Sequence, residues 1–321
     1  MRRCRVRESA AGVLVVHAGA MGDTAMIWPL LRALLRTPGV RCVRAAVSPA
    51  MVDLTRRVLA GRAEVGGGVE FAVEPSDASA YARLWVGDGK REGWEERIDR
   101  VLAFVVRGAD GVGADLAGAA WLRAVRERFG DDVRPIGPPG SASRAAVWAS
   151  ARVDELGAVR AVANADGPIV MHVGGGGAKK RWPMERFVRC VRAMEAERLG
   201  PVRVLAGQVE LETFGARERE MFEDLGGRYV TNALELAGEL ERARIVVAAD
   251  TGPGHVAAQF GVRVVSLFGP TDPAVWSPRG ASGCVRVLAP TRASAMTWLE
   301  VEPVLGAVRE MLAAGEIRGE R

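Results

Sequence analysis

The strongest constraint on the fold is a pattern that occurs twice. Near its start the chain reads "VLVVHAGAMGDTAMIWPLLRALL", and just past its middle "PIVMHVGGGGAKKRWPMERFVRCV". Each copy has an apolar run of strand length, a histidine at its end (His17, His172), a glycine-bearing loop, then Trp-Pro and a helical pattern. In the first copy Met26, Ile27, Leu30, Leu31, Leu34 and Leu35 recur at helical spacing. The alternation continues around each copy. "VRCVRAAV", "VEFAVE" and "RVLAFVV" read as further strands of the first half, with a helix in "PAMVDLTRRVLAG". In the second half "VRVLAG", "RIVVAAD" and "RVVSLFG" read as strands. Helices are expected in "MERFVRCVRAMEAERLG", "AREREMFEDLG", "ALELAGELERA" and "GHVAAQFG", and a closing helix in "WLEVEPVLGAVREMLAAG". Strands alternating with helices imply parallel sheets. The weak internal similarity implies two βαβ-type domains and no solenoid.

A chain of 321 residues fits two domains of ordinary size. "IGPPGSAS" reads as a loop, "RAAVWASARVDELGAV" as a helix and "PIVMH" as a new strand. The boundary is expected between Ala158 and Gly167, giving domains 1–160 and 161–321. The span "EPSDASAYARLWVGDGKREGWEER" fits no single period and takes no assignment. In open parallel sheets ligands sit at the carboxyl ends of the strands. The loops after His17 and His172 both lie at that edge.

The loop "HVGGGGAKKRWP" is shaped for an anion. Glycines allow tight turns and close approach of N–H groups to a ligand. A helix start adds unpaired N–H groups and a partial charge of about half a unit, and Pro183 suits the first helical position. Lysine is scarce here: Lys90, Lys179 and Lys180 are the only three among 44 basic residues. Two adjacent lysines in one glycine loop, followed by Arg181, therefore point to a phosphate or diphosphate more than to a solvated turn. No Ser or Thr follows the lysines, so the loop is not a magnesium-binding P-loop. It also lacks the GxGxxG spacing of dinucleotide folds.

A second constellation is "VVAADTGPGHVAAQFGVRVVSLFGPTDP". A strand ends at Asp250, and Thr251, Gly252, Pro253, Gly254 and His255 lead into a helix. Asp250 or Thr251 could simply cap that helix, and His255 could be a satisfied histidine at its start. Yet hydroxyl, carboxylate, glycines and imidazole meet at one strand-end edge, which favours a polar ligand. "FGPTDP" adds a further tight turn at the same edge.

Composition narrows the function classes. Hydrophobic residues at 49% and charged residues at 26% describe a soluble globular protein. The net charge of +5 suits an anionic substrate or a membrane surface, but no basic run carries interleaved aromatics, so nucleic acid is not expected. Cys4, Cys42, Cys190 and Cys284 are far apart and form no CxxC, so neither zinc nor a disulfide framework is indicated. Free thiols in a reducing compartment are the expectation. The opening "MRRCRVRESAAG" is basic, but the apolar run after it is broken by His17 and Asp23. It is too short and too polar for a signal peptide or a membrane span, so a cytoplasmic protein is expected.

Three stretches together resemble glycosyltransferase family 9, the heptosyltransferases of bacterial lipopolysaccharide core assembly. "DTGPGHVAAQFGVRVVSLFGPTDP" resembles the family signature, "VLVVHAGAMGDTAMIWPLLRALL" its amino-terminal segment, and "HVGGGGAKKRWPMERF" its donor-phosphate loop. Their order and rough spacing agree, whereas about residues 50 to 160 show little to match. The resemblance implies an α/β GT-B enzyme, two Rossmann-like domains with the active site in the inter-domain cleft. It implies inverting, metal-independent transfer of a heptose from ADP-heptose, or another nucleotide sugar, to a lipid-linked or lipopolysaccharide-type glycan. It calls for no cofactor, no metal ion and no nucleic acid, and for a place in the cytoplasm that is compatible with peripheral contact with the inner membrane.

Residue by residue, the resemblance puts Asp23 of "MGDT" at the family's proposed catalytic base, with Gly22 permitting close approach of the acceptor. Capping of the next helix is the bland alternative for Asp23. Lys180 falls on the donor diphosphate, where Lys179 shares the work and Gly175 and Gly176 offer backbone. Asp250, Thr251, Gly252 and His255 match the other donor-side motif. Glu210 or Glu212 is a ribose or adenosine contact. Two departures stand out: His17 replaces the family's frequent Arg or Lys, and four glycines replace a Ser- or Thr-bearing loop. Both could alter the donor or the acceptor. Rival readings are a non-catalytic nucleotide-sugar-binding relative, an NAD-dependent oxidoreductase, disfavoured by the missing GxGxxG, and a metal enzyme using His17, His172 and His255, disfavoured by the lack of an HxxxH pair. For His172, packing beneath the loop is the better reading.

Overall fold

A computed structural model of the chain describes residues 11–17, 19–60, 69–75, 98–104, 125, 133–136, 153–162, 164–175 and 177–319. The chain divides into two compact units, Met1–Ala158 and Val159–Arg321.

The first unit opens with β1 (Ala11–Val16), a continuous apolar run in which Val13, Leu14, Val15 and Val16 are all buried. Such runs suit parallel strands covered on both faces. Helix α1 (Met21–Leu35), strand β2 (Val40–Val47) and helix α2 (Val52–Ala60) follow, with strands β3 (Glu70–Pro75), β4 (Arg100–Phe104) and β5 (Arg134–Ile136). A short helix α3 (Val153–Leu156) ends this unit. The second unit runs β6 (Ile169–His172), α4 (Met184–Ala196), β7 (Val202–Ala206), α5 (Gln208–Thr213), α6 (Ala216–Asp224), β8 (Arg228–Tyr229), α7 (Ala233–Arg242), β9 (Ile245–Ala249), α8 (Gly252–Gln259), β10 (Arg263–Leu267), α9 (Pro273–Trp276), β11 (Val285–Leu288) and α10 (Val301–Gly319).

Strand order is β3-β2-β1-β4-β5 in the first sheet and β11-β10-β9-β6-β7-β8 in the second. Every described pairing is parallel. Counted from its own first strand, each unit has the 3-2-1-4-5 Rossmann order, and the second adds a sixth strand. The two copies of the sequence pattern are thus the first strand, loop and helix of two equivalent sheets. The order reverses between β1 and β4, and between β6 and β9, and such switch points are where these sheets open for ligands.

The helices bury the stripes their periodicity predicts. In α4, Met184, Phe187, Cys190, Val191 and Met194 are buried at steps of three and four. They share one core with Val304, Leu305, Val308 and Met311 of the closing helix α10. Cys42, Cys190 and Cys284 are buried thiols. The expected helix over "RAAVWASARVDELGAV" is described only at α3, and the chain leaves helical geometry at Gly157. "IGPPGSAS" after Ile136 and most of the unassigned span fall outside the described residues. Sequence periodicity missed β5, β8, β11, α5 and α9. Each has six residues or fewer, too short to show a period.

The two Trp-Pro dipeptides are not equivalent. Trp28 and Pro29 sit inside α1, whereas Trp182 and Pro183 stand before α4, because the second loop is longer. Both tryptophans are buried, and each indole N–H finds an acceptor: Thr55 Oγ1 at 3.1 Å for Trp28, and the Leu299 carbonyl at 2.8 Å for Trp182.

Candidate functional site

The switch point of the second sheet gathers most of the expected donor residues. His172 of β6 pairs level with Ala248 of β9. The loops that leave these strands, at Val173 and at Asp250, therefore start side by side. The first loop reaches a short 3-10 turn, Ala178–Lys180, before α4 begins. From that turn the Lys180 ammonium crosses to Asp250 and meets Oδ2 at 2.7 Å. Thr271, in the turn after β10, donates its hydroxyl to the same oxygen at 2.7 Å. His255 Nε2, on α8, lies 3.7 Å from Oδ1. Asp250 is only 7% exposed and His255 is buried. Burial raises the Asp250 carboxyl, but His255, Lys180 and Thr271 together outweigh it and leave it below its ordinary value. It is an ionised carboxylate in a pocket of donors.

Helix capping does not account for Asp250 and Thr251. Thr251 holds the N-cap position of α8 but makes no side-chain cap, and its hydroxyl instead donates to the Ala249 carbonyl at 3.2 Å. The Asp250 carboxylate is committed to Lys180 and Thr271. The first turn of α8, beginning at Gly252, thus keeps N–H groups that no side chain caps, and these are a ready site for an anion.

The glycine loop is anchored from behind. Glu210, 3% exposed, accepts from the Gly175 N–H through Oε1 at 3.3 Å and from the Gly207 N–H through Oε2 at 3.1 Å. A ribose contact through Glu210 would have to compete with both bonds, so here its carboxylate is a staple for the loop. Glu212 points elsewhere and accepts from Gln208 one turn earlier. Gly174 must be glycine, since a Cβ there would stand 2.6 Å from both Glu210 Oε2 and His172 Cε1. Gly177 faces open space, and Gly176 lies outside the described residues.

Loop charge is divided. Arg181 turns away: its guanidinium bonds Thr213 Oγ1, lies 3.9 Å from Glu218 and sits 5.4 Å above the Phe214 ring. It clamps the loop to α5 and α6 and adds nothing to the Lys180 cluster. Lys179 is exposed on the same 3-10 turn. Pro183 is the N-cap of α4, one residue before the position expected for it. Thr271 was not singled out from sequence. The signal that could have found it is a hydroxyl in a turn at the same strand-end edge.

In the first unit Asp23 is the third residue of α1, half-exposed in its first turn, with Gly22 just before it. Ala20 occupies the N-cap and no side chain caps the helix, so Asp23 is not a cap. His17 is buried and its Nε2 accepts from the Gly19 N–H at 3.0 Å. A Cβ on Gly19 would stand 2.2 Å from that nitrogen and 2.9 Å from Asp23 Oδ2, so imidazole and carboxylate converge over a position that only glycine can fill. The second unit repeats the motif, with His172 Nδ1 accepting from the Gly174 N–H at 3.2 Å. The packing expected for His172 beneath its loop is what the structure has. Among the described residues no three His, Cys, Asp or Glu side chains converge as a metal site, and no helix is long and apolar enough to cross a membrane.

His172 gives a stability prediction. Burial lowers its pKa to about 4, against an opposing pull from Glu210. Between about 4 and the unfolded value of 6.5 the unfolded chain binds a proton that the folded chain refuses. Stability should therefore be complete above that window and fall with pH inside it, by up to about 1.4 kcal/mol per pH unit. Denaturant titrations of wild type and His172→Gln at several pH values check this. The variant should show the shallower slope, and equal slopes would remove His172 as the cause.

Residues 144–295 match the family model described as glycosyltransferase family 9 (heptosyltransferase). No curated protein matches the chain in sequence. Among solved structures, Escherichia coli heptosyltransferase WaaC with ADP is 17% identical, covers 93% of this chain and 99% of its own, and superposes with a TM-score of 0.58. E. coli ADP-heptose lipopolysaccharide heptosyltransferase II gives 16%, 95%, 99% and 0.61. A family 9 glycosyltransferase from Veillonella parvula gives 15%, 95%, 98% and 0.63. At such identities the likeness establishes the fold, and the family match, which runs from the end of the first unit through most of the second, carries the assignment. A transferase of this family works with a nucleotide-sugar donor and a glycan acceptor. On its family 9 (heptosyltransferase) domain and its GT-B fold of two Rossmann-like units, this chain is a glycosyltransferase.

Proposed function

We propose that the enzyme transfers heptose from ADP-heptose, with inversion and without a metal ion, to a glycan of the lipopolysaccharide-core type. The observation that carries this reading is the Lys180–Asp250 pair at the switch point of the second sheet. It places one ammonium beside the uncapped start of α8, where a diphosphate would find fixed charge and backbone donors. Asp23 serves as the general base. The acceptor oxygen attacks the anomeric carbon as the bond from that carbon to the phosphate oxygen breaks. The hydroxyl proton passes to Asp23, and ADP leaves with the bonding pair. One displacement inverts the configuration. Fixed cations and dipoles stabilise the leaving diphosphate in the role a magnesium ion has elsewhere. A lipid-linked acceptor would bring the enzyme to the cytoplasmic face of a membrane.

Calorimetric binding of ADP, GDP, UDP and NAD⁺, each with EDTA and again with magnesium, tests the donor. ADP should bind selectively and equally well in EDTA. A preference for UDP or GDP would keep the transferase and change its sugar donor, and the His17 and four-glycine departures would then have an explanation. Binding that requires magnesium, or NAD⁺ bound best, would overturn the reading. ADP binding with no transfer to any acceptor would point to a non-catalytic relative.

A further inference from the structure

Nothing in the family resemblance assigns a role to Thr271, yet it is one of two residues hydrogen-bonded to the oxygen that holds Lys180. Its turn is fastened on both sides. On one side Asp272 caps α9 by accepting from the Ala274 N–H at 2.9 Å. On the other, the Phe268 carbonyl accepts from the Trp298 indole at 2.8 Å, and the Gly269 carbonyl from the Ser294 N–H at 3.0 Å. The Thr271 hydroxyl is therefore delivered to Asp250 Oδ2 by a fixed frame. Lys180 Nζ and Thr271 Oγ1 reach that oxygen at the same 2.7 Å. In a buried place, a carboxylate oxygen that loses one strong donor leans harder on the other.

We propose that Thr271 is a positioning residue of the donor site: by sharing the Asp250 oxygen with Lys180, its hydroxyl sets how firmly the ammonium is held before a diphosphate arrives. The last clause rests on the reading of Lys180 as the diphosphate contact, and the link from Thr271 to Lys180 does not. With the hydroxyl present, Asp250 keeps a partner when Lys180 turns to the ligand. Without it, the ligand must pull the ammonium from a carboxylate whose remaining neighbour is His255, 3.7 Å from the other oxygen.

The scarcity of lysine makes the test clean. Labelling with ¹⁵N-lysine gives at most three side-chain ammonium signals, from Lys90, Lys179 and Lys180, and Lys180→Ala identifies the one of interest. Thr271→Val, close in shape but without the hydroxyl, should move the Lys180 signal and leave that of Lys179 in place, and Thr271→Ser should restore it. ADP affinity should fall about tenfold in Thr271→Val, the size expected for one hydrogen bond to a charged group. In a Lys180→Ala background the same substitution should change affinity little, since coupled residues are not additive. A Lys180 signal indifferent to Thr271→Val, or an equal affinity loss with and without Lys180, overturns the proposal. If Thr271→Val moves the signal but ADP never does, the link stands and the diphosphate reading fails.

Discussion

Replacing Asp23 with alanine is expected to cut transfer by about 10²–10⁴-fold, the usual contribution of a positioned general base, while ADP affinity stays near that of the wild type. The separation follows from where the groups lie. Asp23 is in the first unit, and Lys180, Asp250, Thr251 and His255 are in the second. The substitution should not unfold the protein. Asp23 is half-exposed, caps nothing and stands in the first turn of α1. Its removal loses the helix-dipole term of about 0.3–1 kcal/mol, partly offset by the better helix propensity of alanine. Asp23→Asn separates charge from shape: the amide fills the same space over Gly19 but accepts no proton, so it should be nearly as slow as alanine. Quenched-flow or coupled release of ADP from the nucleotide sugar gives the rate, and calorimetry the affinity. Turnover unchanged in both variants would remove Asp23 as the base. A parallel loss of ADP affinity would instead mean that the substitution disturbs the donor side.

Much of this architecture was legible because the pattern is written twice. "VLVVH" and "PIVMH" each end a buried first strand in a histidine, and the structure gives the two rings the same task of accepting from a glycine N–H two residues on. Four features were not legible. The partner of Arg181 is unreadable because the residues that turn it away, Thr213, Phe214 and Glu218, come from α5 and α6, whose positions depend on packing and not on local period. Glu210 looks like any polar residue after a strand. Only burial against Gly174 and Gly175 makes it a staple. Thr251 and Asp23 look like caps because their residue types favour caps, yet one bonds back to its own strand and the other lies a turn too far into its helix. Thr271 is 91 residues from Lys180 in sequence, and only the fold of the second sheet puts both on one oxygen. Local propensity carries the strands and long helices. The site is set by contacts between loops, which propensity does not encode.

Lys180→Ala should weaken ADP binding by about 10–100-fold, which is the loss of charge-assisted hydrogen bonds worth roughly 1.5–3 kcal/mol. The effect has two sources of the same sign. The ligand loses the one lysine ammonium bound at the switch point, since Arg181 is committed to α5 and α6. It also meets Asp250 stripped of its counter-charge, still buried beside Thr271 and His255. A carboxylate left so repels a diphosphate across a poorly solvated gap. The two sources can be pulled apart. Adding Asp250→Asn to Lys180→Ala removes the repulsion and should recover part of the affinity, whereas Asp250→Asn alone frees Lys180 but takes away the charge that orients it. Lys180→Arg should not restore full binding, because a planar fork does not replace a compact ammonium held by one oxygen. Salt supplies a further check: the wild type should lose ADP affinity as ionic strength rises, and Lys180→Ala should lose less, having one charge fewer to screen. Affinity unaltered by Lys180→Ala, with the fold intact by circular dichroism, would take the diphosphate away from Lys180 and leave the Lys180–Asp250 pair as a tie between two loops.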